Sequence, residues 1–102
     1  ELNFMIVRIV KMEFRVEEIE TFKAVFEASK ANIRTFPGVL YLELLQDKNN
    51  PSAFFTYSHW ETEEDLENYR HSQLFKSTWA KTIPLFLIPA VAWSNERLTF
   101  EQ

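Results

Sequence analysis

Apolar positions along the chain change their spacing several times, and each change marks an element. From Asn3 to Phe14 (NFMIVRIVKMEF) they fall on both parities. Phe4, Ile6, Val10, Met12 and Phe14 are even, and Met5, Val7 and Ile9 are odd. That pattern predicts a strand covered on two faces. Ile19, Phe22, Phe26, Ser29 and Ile33 then recur at spacings of three and four, with Glu17, Glu18, Glu20, Glu27 and Lys30 mostly elsewhere. This predicts a helix over Val16 to Thr35, ended by Pro37-Gly38. Val39 to Asp47 is a second strand, with Leu40, Leu42 and Leu44 on one face and Val39, Tyr41 and Leu45 on the other. Lys48 to Ser52 is a polar turn, and Ala53 to Trp60 pairs back antiparallel as the third strand.

Thr62 is placed to cap a helix, with Asp65 at its third helical position. A break is expected near Ser72, the cap of a further helical stretch through Phe75, Trp79 and Ile83 to Pro84. Leu85 to Pro89 is too apolar for water, and Ala90 to Phe100 reads as the last strand. The order β-α-β-β-α-β predicts an α+β, ferredoxin-like fold: a four-stranded antiparallel sheet, both helical regions on one face, the second one split. Three strands that are apolar on both faces then leave one sheet face uncovered. A second copy packed sheet to sheet, a two-fold homodimer, is the expected cover.

Composition narrows the function. A chain of 102 residues is one domain, expected to span 1–102. A single Gly and 16% aromatic residues describe a packed globule rather than a linker. The net charge of −4 and the scattered basic residues speak against a nucleic-acid binder. The absence of Cys removes thiol nucleophiles, disulfides and zinc–thiolate sites. No signal segment is visible and no apolar run reaches the roughly 18 residues of a membrane span, so a cytoplasmic location is expected. Met5 is an alternative starting residue to Glu1.

Candidate chemistry concentrates between Phe54 and Trp79, which holds both His and two of the three Trp. An imidazole at His71, at the expected helix break, can accept a phenolic proton near neutral pH, or it can satisfy backbone groups there. His59 has the opposite parity to Trp60, so it faces the open sheet side if Trp60 faces the helices. Phe22, Trp60, Phe75 and Trp79 are equally suited to wall a pocket or to fill a core. Arg8 in a buried strand needs a partner or a cavity; Glu43 on a neighbouring strand is the expected partner, an anionic substrate the alternative. The acidic run Glu61 to Glu67 reads as a solvated helix start, and no metal site is expected.

The opening strand MIVRIVKM, the FPG before the second strand, FFTYSHW ending in Trp60, and YRHSQLFKSTW together resemble the antibiotic biosynthesis monooxygenase family. The resemblance implies a small dimeric α/β barrel. It also implies a cofactor-independent monooxygenase taking an electron-rich aromatic, of quinol or polyphenol type, and molecular oxygen. His71 stands where many such members carry a histidine and is the implied base. Arg8, Phe22, Trp60, Tyr69, Phe75 and Trp79 are the implied substrate-binding residues. The family also includes haem-degrading members, but Trp79 stands at their iron-ligating histidine. Tyr69 replaces a tryptophan of theirs, and Val7-Arg8-Ile9 lacks their first-strand asparagine. Haem binding is therefore the weaker alternative, beside a non-enzymatic ligand-binding or stress-response barrel.

Overall fold

Alternation along the first strand sorts the whole sheet. A computed structural model describes residues 5–101, so the expected strand positions Asn3 and Phe4 lie outside the described residues. Strand β1 (Ile6–Phe14) is central, pairing antiparallel with β3 (Ala53–Trp60) on one side and β4 (Phe86–Glu96) on the other. Strand β2 (Val39–Gln46) pairs antiparallel with β3, giving the order β2-β3-β1-β4 of the expected ferredoxin-like α+β sheet. Helices α1 (Ile19–Arg34), α2 (Glu63–Arg70) and α3 (Gln73–Thr82) supply the helical regions.

The chain enters α1 through a 3-10 turn over Val16–Glu18, and α1 buries Phe22, Ser29 and Ile33, members of its three-and-four stripe. The expected split between α2 and α3 is present, each side with its cap. Thr62 Oγ1 accepts the Asp65 N–H (3.0 Å), and Ser72 Oγ accepts the Phe75 N–H (3.1 Å). Gly38 takes a positive φ of 91°, and a Cβ there would overlap the Asp65 side chain, so the turn into β2 needs glycine.

Two expectations are corrected. A bulge between Val39 and Tyr41 shifts the start of β2, so Val39 is buried beside Trp60 and Leu66 while Leu40 is exposed. The last strand begins at Phe86 rather than Ala90 and ends at Glu96, so the apolar run before Ala90 is strand and Arg97–Phe100 is not. Phe86 draws the strand's start inward by stacking on Phe14 (5.3 Å between centroids). Pro89 is tolerated because β4 is an edge strand whose register against β1 is irregular there.

Between sheet and helices lie two buried clusters. One contains Met12, Phe14, Phe22, Phe54 and Leu85; the other contains Ile6, Val39, Trp60 and Leu66. The opposite sheet face carries no helix, and Tyr41, Leu45, Val91 and Trp93 on it are 41–48% exposed. No helix of the described residues is long and apolar enough to cross a membrane.

Candidate functional site

Members of both clusters, including Met12, Phe22, Trp60 and Leu66, line one cavity of ≈ 320 Å³ under the helices. Strand β1 contributes Arg8 and Val10, β3 contributes Thr56 and Ser58, and the end of α2 contributes Tyr69 and Arg70. Helix α3 adds Phe75, Thr78 and Trp79. All six residues expected to bind substrate, Arg8, Phe22, Trp60, Tyr69, Phe75 and Trp79, therefore line the same space.

The aromatic wall is a continuous series of contacts. Centroid separations are 5.0 Å for Trp60–Tyr69, 5.2 Å for Tyr69–Phe75 and 5.6 Å for stacked Phe75–Trp79. Trp60 is 2% exposed and donates its indole N–H to Ser58 Oγ (3.0 Å), which fixes the ring against β3. Burial pushes the Tyr69 phenol up to about 12, so it stays protonated. The Tyr69 hydroxyl makes no hydrogen bond to the described residues, which leaves it available as a donor.

Arg8 does not meet Glu43, contrary to expectation. The register sets Arg8 against Ser58 and Ser94, whereas Glu43 lies against Tyr57, on the other face. Glu43 accepts instead from the Tyr41 hydroxyl (2.8 Å). Arg8 Nη1 donates to Ser94 Oγ (2.8 Å), and the guanidinium forms no ion pair among the described residues. Burial, and then the neighbouring Arg70 charge, lowers its pKa from the usual arginine value.

His71, the base implied by the family resemblance, is not among the residues that line the cavity. Its side chain is 77% exposed and forms the C-cap of α2. Nδ1 lies 2.8 Å from the Glu67 carbonyl, an acceptor only, so the proton sits on Nδ1 and Nε2 faces solvent. The backbone-bonded reading of His71 is the one the geometry takes. We expect His71→Ala to leave stability within about 1 kcal/mol of the parent, since it removes one exposed hydrogen bond. A urea titration checks this, and a larger loss would mean that the cap does more than the geometry indicates.

His59 lies on the open sheet face with Tyr41 and Tyr57, each 5.1 Å away between ring centroids. Burial first, then the Arg97 charge, lowers its pKa below the usual histidine value. Sequence reasoning missed Thr56, Ser58, Thr78 and Arg70 as cavity residues. The signal for two of them was present: Thr56 and Ser58 are polar at the parity of Phe54 and Trp60, where a solid core would be apolar.

The lining fits haem poorly. Among the described residues it contains no His or Cys, and its one Met, Met12, is buried in the core.

The family model of antibiotic biosynthesis monooxygenases matches residues 5–81. No curated protein matches the chain by sequence. Among solved structures, a candidate antibiotic biosynthesis monooxygenase from Nitrosomonas europaea is similar at 20% identity and TM-score 0.86, over 96% of this chain and 94% of that one. A conserved protein from Methanosarcina mazei Go1 gives 15% identity and TM-score 0.89, over 92% and 93%. Rv0793 from Mycobacterium tuberculosis gives 14% and 0.88, over 96% and 99%. At these identities the likenesses establish the fold alone.

Proposed function

Because the chain belongs to the antibiotic biosynthesis monooxygenase family, we propose that its cavity binds a flat, electron-rich phenol or quinol and oxygenates it with molecular oxygen, without a cofactor. The observation that carries this reading is the aromatic wall of Trp60, Tyr69, Phe75 and Trp79 around a cavity that also holds a free phenolic donor.

In the proposed reaction the substrate's O–H proton passes to water, and the phenolate gives one electron to oxygen. The resulting superoxide joins the phenoxyl radical at a ring carbon that bears hydrogen and takes up a proton, forming a C–O bond. Loss of water from that hydroperoxide breaks the O–O and C–H bonds and leaves a quinone-type carbonyl. One oxygen atom thus enters the product and the other leaves as water. Tyr69 stabilises the phenolate oxygen by donating its hydroxyl, and the apolar walls keep solvent from the radical pair. His71 has no part in this scheme, because it stands outside the cavity.

Oxygen uptake over a panel of phenols and quinols tests the reading, with Thr56→Phe as the control that fills the cavity. A small-to-large change beside an existing void is tolerated better than one in a solid core. Uptake by the parent that disappears in Thr56→Phe is expected; equal uptake by both would place the chemistry elsewhere. A second reading, a ligand-binding barrel without catalysis, is favoured by one observation: among the described residues no imidazole or carboxylate lines the cavity. Saturable aromatic binding with no oxygen uptake would establish it.

We further propose that a second copy covers the open sheet face, with His59, Tyr41 and Trp93 inside the contact. Light scattering should give twice the chain mass of 12.2 kDa. Tyr57→Glu, which sets a charge in that contact, should give the single-chain mass or unfold the protein. A single-chain mass for the parent would contradict the dimer.

A further inference from the structure

The cavity's charge is one-sided. Arg8 and Arg70 both line it, and among the described residues no Asp, Glu or His does. Arg70 is partly neutralised by Glu67, whose Oε2 lies 2.9 Å from its Nη1. Arg8 has no such partner among the described residues: its hydrogen bond is to a serine hydroxyl, leaving most of its five donors without a protein acceptor. A half-exposed guanidinium in the middle of the central strand, on the face that otherwise buries Ile6, Met12 and Phe14, gives up part of its hydration there. The two like charges also oppose each other: burial first, and then the Arg70 charge, lowers the proton affinity of Arg8, and Glu67 offsets this in part. An anion at this place would relieve both costs, and a planar fork of donors suits a planar oxyanion.

We propose that the ligand carries a fixed carboxylate, which docks on Arg8 beside Arg70 while its ring lies against the aromatic wall of Tyr69, Phe75 and Trp79. This rests on the reading of the cavity as an aromatic site and names the class of molecule that fills it: an aromatic acid. The phenolic oxygen is served by Tyr69, so the carboxylate is a second, separate point of recognition. It orients the ring with respect to that hydroxyl.

The test is a matched pair of probes, 2-naphthoate and its uncharged isostere 2-naphthamide, titrated calorimetrically into the full chain at neutral pH. A charge-assisted hydrogen bond at a half-exposed site is expected to favour the acid by about tenfold in affinity. Arg8→Gln should abolish that preference by weakening the acid far more than the amide, and raised salt should weaken the acid more than the amide. Should Arg8→Gln fail to fold, as judged by circular dichroism, Arg70→Gln on the exposed end of α2 takes its place and should diminish the preference. Equal affinities of acid and amide in the parent would overturn the proposal while leaving the aromatic site intact. A preference unchanged in the folded arginine variants would also overturn it. If neither probe binds, the aromatic reading of the cavity falls, and this proposal with it.

Discussion

Phe14→Ala is expected to lower unfolding free energy by about 3–5 kcal/mol, the range for removing a fully buried phenylalanine. Phe14 is 0% exposed and ties four elements at one point. Its ring stacks on Phe22 of α1 (4.1 Å between centroids) and Phe86 of β4 (5.3 Å), and meets Phe54 of β3 edge-on (5.8 Å). Few of these neighbours can collapse into the gap, because Phe22 and Phe54 are themselves buried and held by each other (5.2 Å). Small domains have total stabilities of only about 5–15 kcal/mol, so the loss is a large share of the whole. Urea unfolding reads it directly: the midpoint should fall with little change in slope. A loss below about 1 kcal/mol would show that the core is not centred on this ring.

The second large effect is on turnover and follows from the proposed role of Tyr69. Tyr69→Phe keeps the ring that packs on Trp60, Phe75 and Phe36 and removes only the hydroxyl. Stability should therefore change little. Removing a single oxyanion donor typically lowers kcat by about 10²–10³, and that is the expected loss in oxygen-dependent turnover. With its pKa pushed up to about 12, the phenol is protonated and able to donate throughout the neutral and moderately alkaline range. The wild-type rate should accordingly show no alkaline decline from Tyr69 in the neutral and moderately alkaline range. Turnover in Tyr69→Phe equal to that of the parent would remove Tyr69 from the mechanism.

Much of the fold was legible because it depends on spacing. The helical stripe through Phe22 and Ile33, the alternation of β3 and the caps at Thr62 and Ser72 are local, and each specifies its element without help from distant residues. The bulge at Val39 was not legible, since it is a feature of the pairing of β2 with β3. The true start of β4 depended on Phe86 finding Phe14, a contact between opposite ends of the chain. For the site, the sequence marked the right aromatics but not whether they filled the interior or surrounded a void, because the same side chains serve both. Arg8 and Glu43 were separated by strand register: Glu43 has the parity of Tyr57, and Arg8 that of Ser58. For His71 the two open readings were separated by helix geometry. At the end of α2 its ring nitrogen meets a carbonyl four residues back, which holds the imidazole on the outer surface.

The most direct test of the central claim, that one atom of oxygen enters an aromatic held in this cavity, is the oxygen stoichiometry with and without catalase. In the proposed reaction the second oxygen atom leaves as water, so no peroxide accumulates and catalase leaves the oxygen consumed per product formed unchanged. A simple two-electron oxidation releases hydrogen peroxide, and catalase would return half of the oxygen taken up. An unchanged ratio, with uptake lost in Thr56→Phe and retained in His71→Ala, is the predicted result. Halved consumption, or no enzyme-dependent uptake with any phenol or quinol that binds, would contradict it.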